Sequence, residues 1–262
     1  MESLLDRSRR LRKQIVELCY SVKCGHIGSS LSCADILAEI FFRQWQDGDL
    51  FILSKGHAAA ALYNILVQKD LLSISDLQTF YKDGTFLGAH PPCGGQIPVA
   101  PFGTGSLGHG LSLANGLALS QRYTGKKFSV YCLLSDGECN EGSIWEAALF
   151  ASHHGLSQIK VVVDKNDLQG LGSTEAILTT KSLARKFDSF GFEVKEVDGH
   201  CFNSMAEAFS DFGDNSKPKC LIANTTKGKG VSFMENKFEW HYLNCNHSIS
   251  HIVDRREVPL CG

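Results

Sequence analysis

Short runs rich in β-forming residues alternate along this chain with longer stretches whose apolar positions recur every three to four residues. Leu50–Leu53, Phe128–Leu134, Ile159–Val163, Glu193–Val197 and Cys220–Thr225 have the length and make-up of strands. Helical spacing separates them. Leu5–Ser21 carries Leu11, Ile15 and Leu18 on one face, and Ala58–Val67 follows. Leu107–Tyr123 is rich in Ala, Gly and Leu, Ser143–His154 is closed by Gly155, and a further helix falls near Asn203–Phe212. Ser32 and Asp35 have the spacing of a capping box, which predicts a helix opening there and running through Phe42. Strands separated by helices, with neither repeats nor linkers, predict an α/β fold. Its form would be a three-layer, doubly wound parallel sheet with helices on both faces.

This pattern has a chemical consequence. In a right-handed strand–helix–strand unit the two strands are parallel, so Asp136 and Asn166, which follow successive strands, emerge at one sheet edge. That edge is where doubly wound sheets bind ligands. The Asp136 carboxylate, the Asn166 amide oxygen and the Leu168 carbonyl make an all-oxygen set suited to a hard cation such as Mg²⁺. A cation with so few protein ligands takes its remaining partners from phosphate. Gly137 leaves room for a phosphate to approach the backbone, although a turn glycine has the same signature. Asp136 alone also suits a helix N-cap.

Composition narrows the function classes. The 262 residues are 43% apolar and 21% charged, enough to bury a full core, and are read as one domain spanning residues 1–262. A net charge of −2 without like-charge runs argues against nucleic acid or an anionic membrane as partner. The N-terminus is charged throughout and no run reaches membrane-spanning length. Ten cysteines without a CxxC pair read as reduced thiols, which points to the cytoplasm. The glycosylation-type triplets at Asn224 and Asn246 therefore carry no weight. Neither HExxH nor CxxC spacing supports zinc. Gly103-x-Gly105-x-x-Gly108 fits a dinucleotide fingerprint, but that motif needs a strand just before it. Pro98 and Pro101 interrupt the approach, so the nicotinamide reading is rejected.

Ser135-Asp136-Gly137 followed by Asp164-Lys165-Asn166 resembles the thiamine diphosphate signature. Four more segments match the transketolase family in order: Gly25-His26-Ile27-Gly28 with Ser32–Leu37, Leu53-Ser54-Lys55-Gly56-His57-Ala58, Gly88-Ala89-His90-Pro91 with Thr104–Gly108, and Lys227–Asn236 with Trp240-His241. The resemblance runs from about Arg9 to His241 and covers the thiamine diphosphate-binding, N-terminal part of those enzymes. It implies thiamine diphosphate and Mg²⁺ (or Ca²⁺ or Mn²⁺) as cofactors. Asp136, Asn166 and Leu168 would hold the metal, and His57, Gly105, Ser106, Leu107, Gly137, Glu141, Asn166 and His241 would contact cofactor or its interface. His90 would contact the donor ketose and the bound intermediate, and His26 and His241 would face the substrate's carbonyl and hydroxyls and help move protons. Glu141 also suits an exposed first-turn glutamate favoured by the helix dipole. His153 and His154 are read as surface or packing residues, and Lys165 is given no role.

The pyrimidine-binding and C-terminal domains of transketolases have no counterpart in the sequence. The resemblance therefore implies one component of a split transketolase, inactive alone. A C-terminal subunit would complete it in a heterotetramer that transfers a two-carbon ketol unit between sugars or sugar phosphates. Ser135 stands where the signature commonly has glycine, and Tyr242-Leu243-Asn244-Cys245 replaces a Gly-Lys-Ala-Pro-like continuation. With Cys93 near His90, these departures point to a specialised sugar. The rivals are a subunit like deoxyxylulose-phosphate synthase or a 2-oxoacid dehydrogenase, and a non-catalytic scaffold.

Overall fold

A computed structural model describes residues 2–179 and 181–244. Cys245 and Asn246, named above, lie outside the described residues. In chain order the elements are α1 (Leu4–Val22), α2 (Ile27–Ser32), α3 (Ala34–Glu39), β1 (Leu50–Leu53), α4 (Ala59–Gln68), α5 (Ile74–Leu77) and α6 (Gly110–Thr124). There follow β2 (Val130–Ser135), α7 (Gly142–His153), β3 (Ile159–Lys165), the two-residue strands β4 (Leu168–Gln169) and β5 (Gly172–Ser173), and α8 (Thr174–Ile177). The series continues with α9 (Leu183–Ser189), β6 (Glu193–Asp198), α10 (Phe202–Ser210) and β7 (Lys219–Asn224), and a 3₁₀ turn forms at Phe238–His241.

Five strands form one sheet in the order β1-β2-β3-β7-β6, and every neighbouring pair is parallel. Alternation along β2 explains the layers. Tyr131 and Leu133 join a core that includes residues of α1, α3, α4 and α10, whereas Val130, Cys132 and Leu134 join one built with α6, α7 and α9. The connections through α6, α7 and α9 all advance the sheet in one direction and share a face. The step from β6 back to β7 reverses direction and puts α10 on the other, as right-handed crossovers demand. The α/β reading holds, and its three layers are in place.

Local chemistry sets the helix ends. Ser3 caps α1 by accepting the Asp6 N–H at 3.1 Å, and Lys23 closes it in the left-handed region at φ 53°. Three sequence expectations need correction. Ser32 and Asp35 form no capping box: Ser32 ends α2, and Cys33 precedes α3 without a side-chain cap. Their polar groups serve long-range partners instead. Ser32 Oγ donates to Asp164 at 2.6 Å, and Asp35 accepts from Arg12 at 2.9 and 2.6 Å. The helix expected from Leu107 begins at Gly110, because Leu107–His109 belong to the preceding loop. The strand expected to end at Leu134 continues through Ser135, which pairs with Asp164. Residues 98–108 contain no strand, in keeping with the rejection of the dinucleotide motif.

Candidate functional site

The carboxyl ends of β2 and β3 open into a cavity of about 380 Å³. Its lining includes Ser135, Gly137, Asn166, Leu168, His57 and His241, with Lys55 and Lys227 also at its surface. Asp136 is 1% exposed and lies between two lining residues. Its carboxylate accepts the Gly137 N–H at 2.7 Å and the Asp167 N–H at 2.6 Å, which ties the β2 end to the loop after β3. Burial, reinforced by the Asp164 carboxylate, pushes Asp136 up to about 7. A carboxylate in that position gains from a cation. Asn166 Oδ1 accepts the Leu168 N–H at 3.2 Å, a turn that brings amide oxygen and chain bend together.

These donors fit a hard divalent cation bound to diphosphate. They are oxygens, and among the described residues no group of three or more His, Cys, Asp or Glu side chains gathers as a metal site. Oxygens of a bound anion would therefore fill the remaining coordination places. Two glycines near this set allow close packing, Gly137 in the cavity lining and Gly105 behind it. A Cβ on Gly137 would sit 2.9 Å from Gln169 Cγ, and one on Gly105, at φ 152°, would sit 3.0 Å from His90 Cδ2.

Beside the oxygen set is a cluster of imidazoles. The rings of His26, His57 and His241 are 5.1 to 5.4 Å apart, and His90 lies 6.3 Å from His26. His26 adopts φ 62°, and its N–H donates to the His241 carbonyl at 3.1 Å. Burial holds all four below the ordinary histidine range. His57 is held well below it, aided by Lys55, and His241 falls to about 3 with Lys227 beside it. They are therefore neutral at physiological pH. Lys227 Nζ stands 3.2 Å from His241 Nδ1 and donates to Ser29 Oγ at 2.9 Å. An ammonium facing Nδ1 makes that nitrogen the acceptor, which leaves the proton on Nε2.

Not every expected residue reaches the cavity wall. Leu107 and Glu141 line it, whereas His26, His90, Gly105 and Ser106 do not, and Ser106 is exposed. Lys165, given no role above, donates to Asn224 Oδ1 at 3.1 Å and pairs with Asp167. Its work is to tie β3 to β7.

Sequence reasoning passed over the groups that hold this arrangement. Lys55 is fully buried, paired with Asp164, and donates to the Ser29 carbonyl at 3.0 Å. Thr225 also donates to Asp164. Glu138, likewise fully buried, accepts from Ser54, from the Gly108 N–H at 2.9 Å and from the Ser135 N–H at 3.2 Å. One carboxyl thus ties the loops at Ser54 and Gly108 to the end of β2. On the far side Arg12, Ser8 and His200 converge on Asp35, and His200 Nε2 accepts the Thr226 N–H at 2.8 Å. Lys55 and Lys227 stood inside quoted motifs, but nothing local in sequence signals a buried ammonium.

Residues 3–246 match the family model described as "Transketolase, thiamine diphosphate binding domain". Among curated relatives, one of the subunits of apulose-4-phosphate transketolase from Phocaeicola vulgatus is 37% identical over 92% of this chain and 89% of its own. The protein of the same name from Actinobacillus succinogenes is 38% identical over 92% and 91%. Among solved structures, transketolase from Campylobacter jejuni superposes with a TM-score of 0.81 at 26% identity. That match covers 94% of this chain and 41% of the Campylobacter enzyme, so this chain spans about two fifths of the longer protein. The chain belongs to the transketolase thiamine diphosphate-binding domain family.

Proposed function

We propose that this chain is the diphosphate-binding subunit of a two-component transketolase, which moves a two-carbon ketol unit from a ketose to an aldose. The observation that carries the reading is the cavity lined by Asn166, His57, His241 and Lys227, with the buried Asp136 between two of its lining residues. When bound, thiamine diphosphate supplies a thiazolium carbon able to act as a carbanion toward a ketose carbonyl. Asp136, Asn166 and the Leu168 carbonyl would hold Mg²⁺ against the diphosphate. Gly137 admits the phosphate to the backbone, and His57 donates to it as a neutral imidazole. Lys227 keeps the His241 proton on Nε2, directed at substrate hydroxyls, while His26 and His90 complete the polar face on which the sugar would lie. Glu141 and the Gly105–Leu107 loop would meet the cofactor from the partner side.

Completion by a partner protein is supported in two ways. The two apulose-4-phosphate relatives are named as subunits and have nearly this length. In addition, Leu171 and Leu178 line the cavity yet are more than half exposed, an apolar border suited to a protein surface. The reading keeps the whole chain as one diphosphate-binding domain within a heterotetramer, with the pyrimidine-activating carboxylate on the partner. The test is reconstitution. Chain and partner together should bind thiamine diphosphate only with Mg²⁺ in calorimetry and should transfer ketol units across a panel of ketoses and aldoses. Pyruvate consumption with CO₂ release would instead favour a synthase-like enzyme, and failure to bind cofactor would favour a scaffold.

A further inference from the structure

Tyr242 stands where the family resemblance leads to glycine, and its placement explains a second residue. It follows the Phe238–His241 turn, with its N–H donated to the Glu239 carbonyl at 3.0 Å. The turn is pinned in its place by the His26 N–H on the His241 carbonyl. From this anchor the tyrosine ring packs edge-on to His241 at 4.8 Å and to His26 at 6.1 Å. Its far end reaches Gly170, between β4 and β5. A Cβ at Gly170 would overlap the Tyr242 hydroxyl oxygen and come within 3.0 Å of Cζ. Gly170 is absent from the positive-φ residues, so its missing side chain serves contact and not backbone conformation.

The ring is thus a strut between two walls of one cavity. One wall carries His241; the other begins at Leu168, whose carbonyl is in the candidate cation set. Tyr242 lines the cavity while remaining 60% exposed, so it forms the outer edge of the opening and not the floor. A ligand held between Asn166 and Lys227 has this ring between itself and part of the solvent. An exposed aromatic ring can swing about χ1 without breaking a core.

The geometry points to Tyr242 as a latch: its ring closes the cavity mouth on a bound diphosphate cofactor, and Gly170 is the seat that receives it. This rests on the cavity being the thiamine diphosphate site. A latch slows entry and exit together, whereas a direct binding contact slows exit alone.

The experiment uses the chain assembled with its partner protein and loaded with labelled thiamine diphosphate and Mg²⁺. Release is followed after addition of excess unlabelled cofactor, and uptake is followed by quenching of tryptophan fluorescence. Tyr242→Ala should raise both rates by about tenfold, leaving Kd within about threefold, as expected for loss of a gate. Gly170→Ala should act in the same direction, because its methyl group displaces the ring. Tyr242→Phe should stay close to wild type. Unchanged release from Tyr242→Ala and Gly170→Ala overturns the latch while leaving the cofactor site intact. A wild-type complex that takes up no cofactor overturns the site itself, and the latch with it.

Discussion

Asp164 and Asp136 follow one another along neighbouring strands, yet their surroundings have opposite effects. Asp164 is fully buried and saturated: Lys55, Ser32 and Thr225 all donate to it. Burial alone would raise its pKa, but Lys55 reverses that and holds it below the ordinary range. Asp136 is equally hidden but meets only the backbone N–H groups of Gly137 and Asp167, and its pKa rises to about 7. The difference separates a carboxylate whose charge is already balanced by the protein from one whose charge no side chain of the protein compensates. Burial by itself does not single out a candidate ligand; burial without a compensating side chain does.

The sharpest way to break this contrast is to remove Asp164. Asp164→Ala strands the Lys55 ammonium in the core, and urea unfolding should show a loss of about 3–5 kcal/mol. Should the variant unfold like wild type, the pair is not the support described here. Next comes Asp136→Asn, which should weaken Mg²⁺-dependent cofactor binding by at least about a hundredfold in calorimetry, the upper end of the loss seen when only an outer-shell partner of a metal ligand is removed. Unaltered binding would remove Asp136 from the site.

A pH series reads the contrast directly. Asp164 has a lowered folded pKa, so its stabilising contribution is present above the unfolded value of about 3.9 and is lost as pH falls through the folded one. Asp136 has a raised folded pKa. Its contribution is complete below about 3.9 and is lost as pH rises toward 7. Without cofactor, Asp136→Asn should therefore gain on wild type as pH climbs from about 4 to 7 and level off above. Parallel stability curves would contradict that assignment. The smallest effect belongs to Ser135, whose Oγ accepts the Glu138 N–H at 3.3 Å. Ser135→Gly should cost about 0.5–1 kcal/mol in thermal unfolding, with little change in cofactor affinity.

The contrast also measures how much the sequence disclosed. The parallel strands were legible because both faces are covered and their apolar content shows. The meeting of the Asp136 and Asn166 loops followed from handedness alone. Helix α2 escaped notice because Ile27–Ser32 is buried on every side and so has no polar periodicity. Helix α9 is only seven residues long, with Leu183 and Phe187 as its buried positions. The Ser32–Asp35 spacing misled because a local rule was applied to side chains that answer to β3, α1 and His200. Asp164 was quoted in the signature only for its place before Asn166, since its partner Lys55 is remote in sequence, 109 positions away.

The Lys227–Ser29 hydrogen bond joins residues 198 positions apart. A chain emerging from a ribosome exposes Ser29, His26 and His57 long before Lys227 and His241 exist. The early segment must therefore wait without Lys227 and His241, and the nascent protein has no finished pocket. Capture of the proposed cofactor would then be a late event in the life of the polypeptide, and occupancy of the pocket would certify that synthesis and folding have both run to that point.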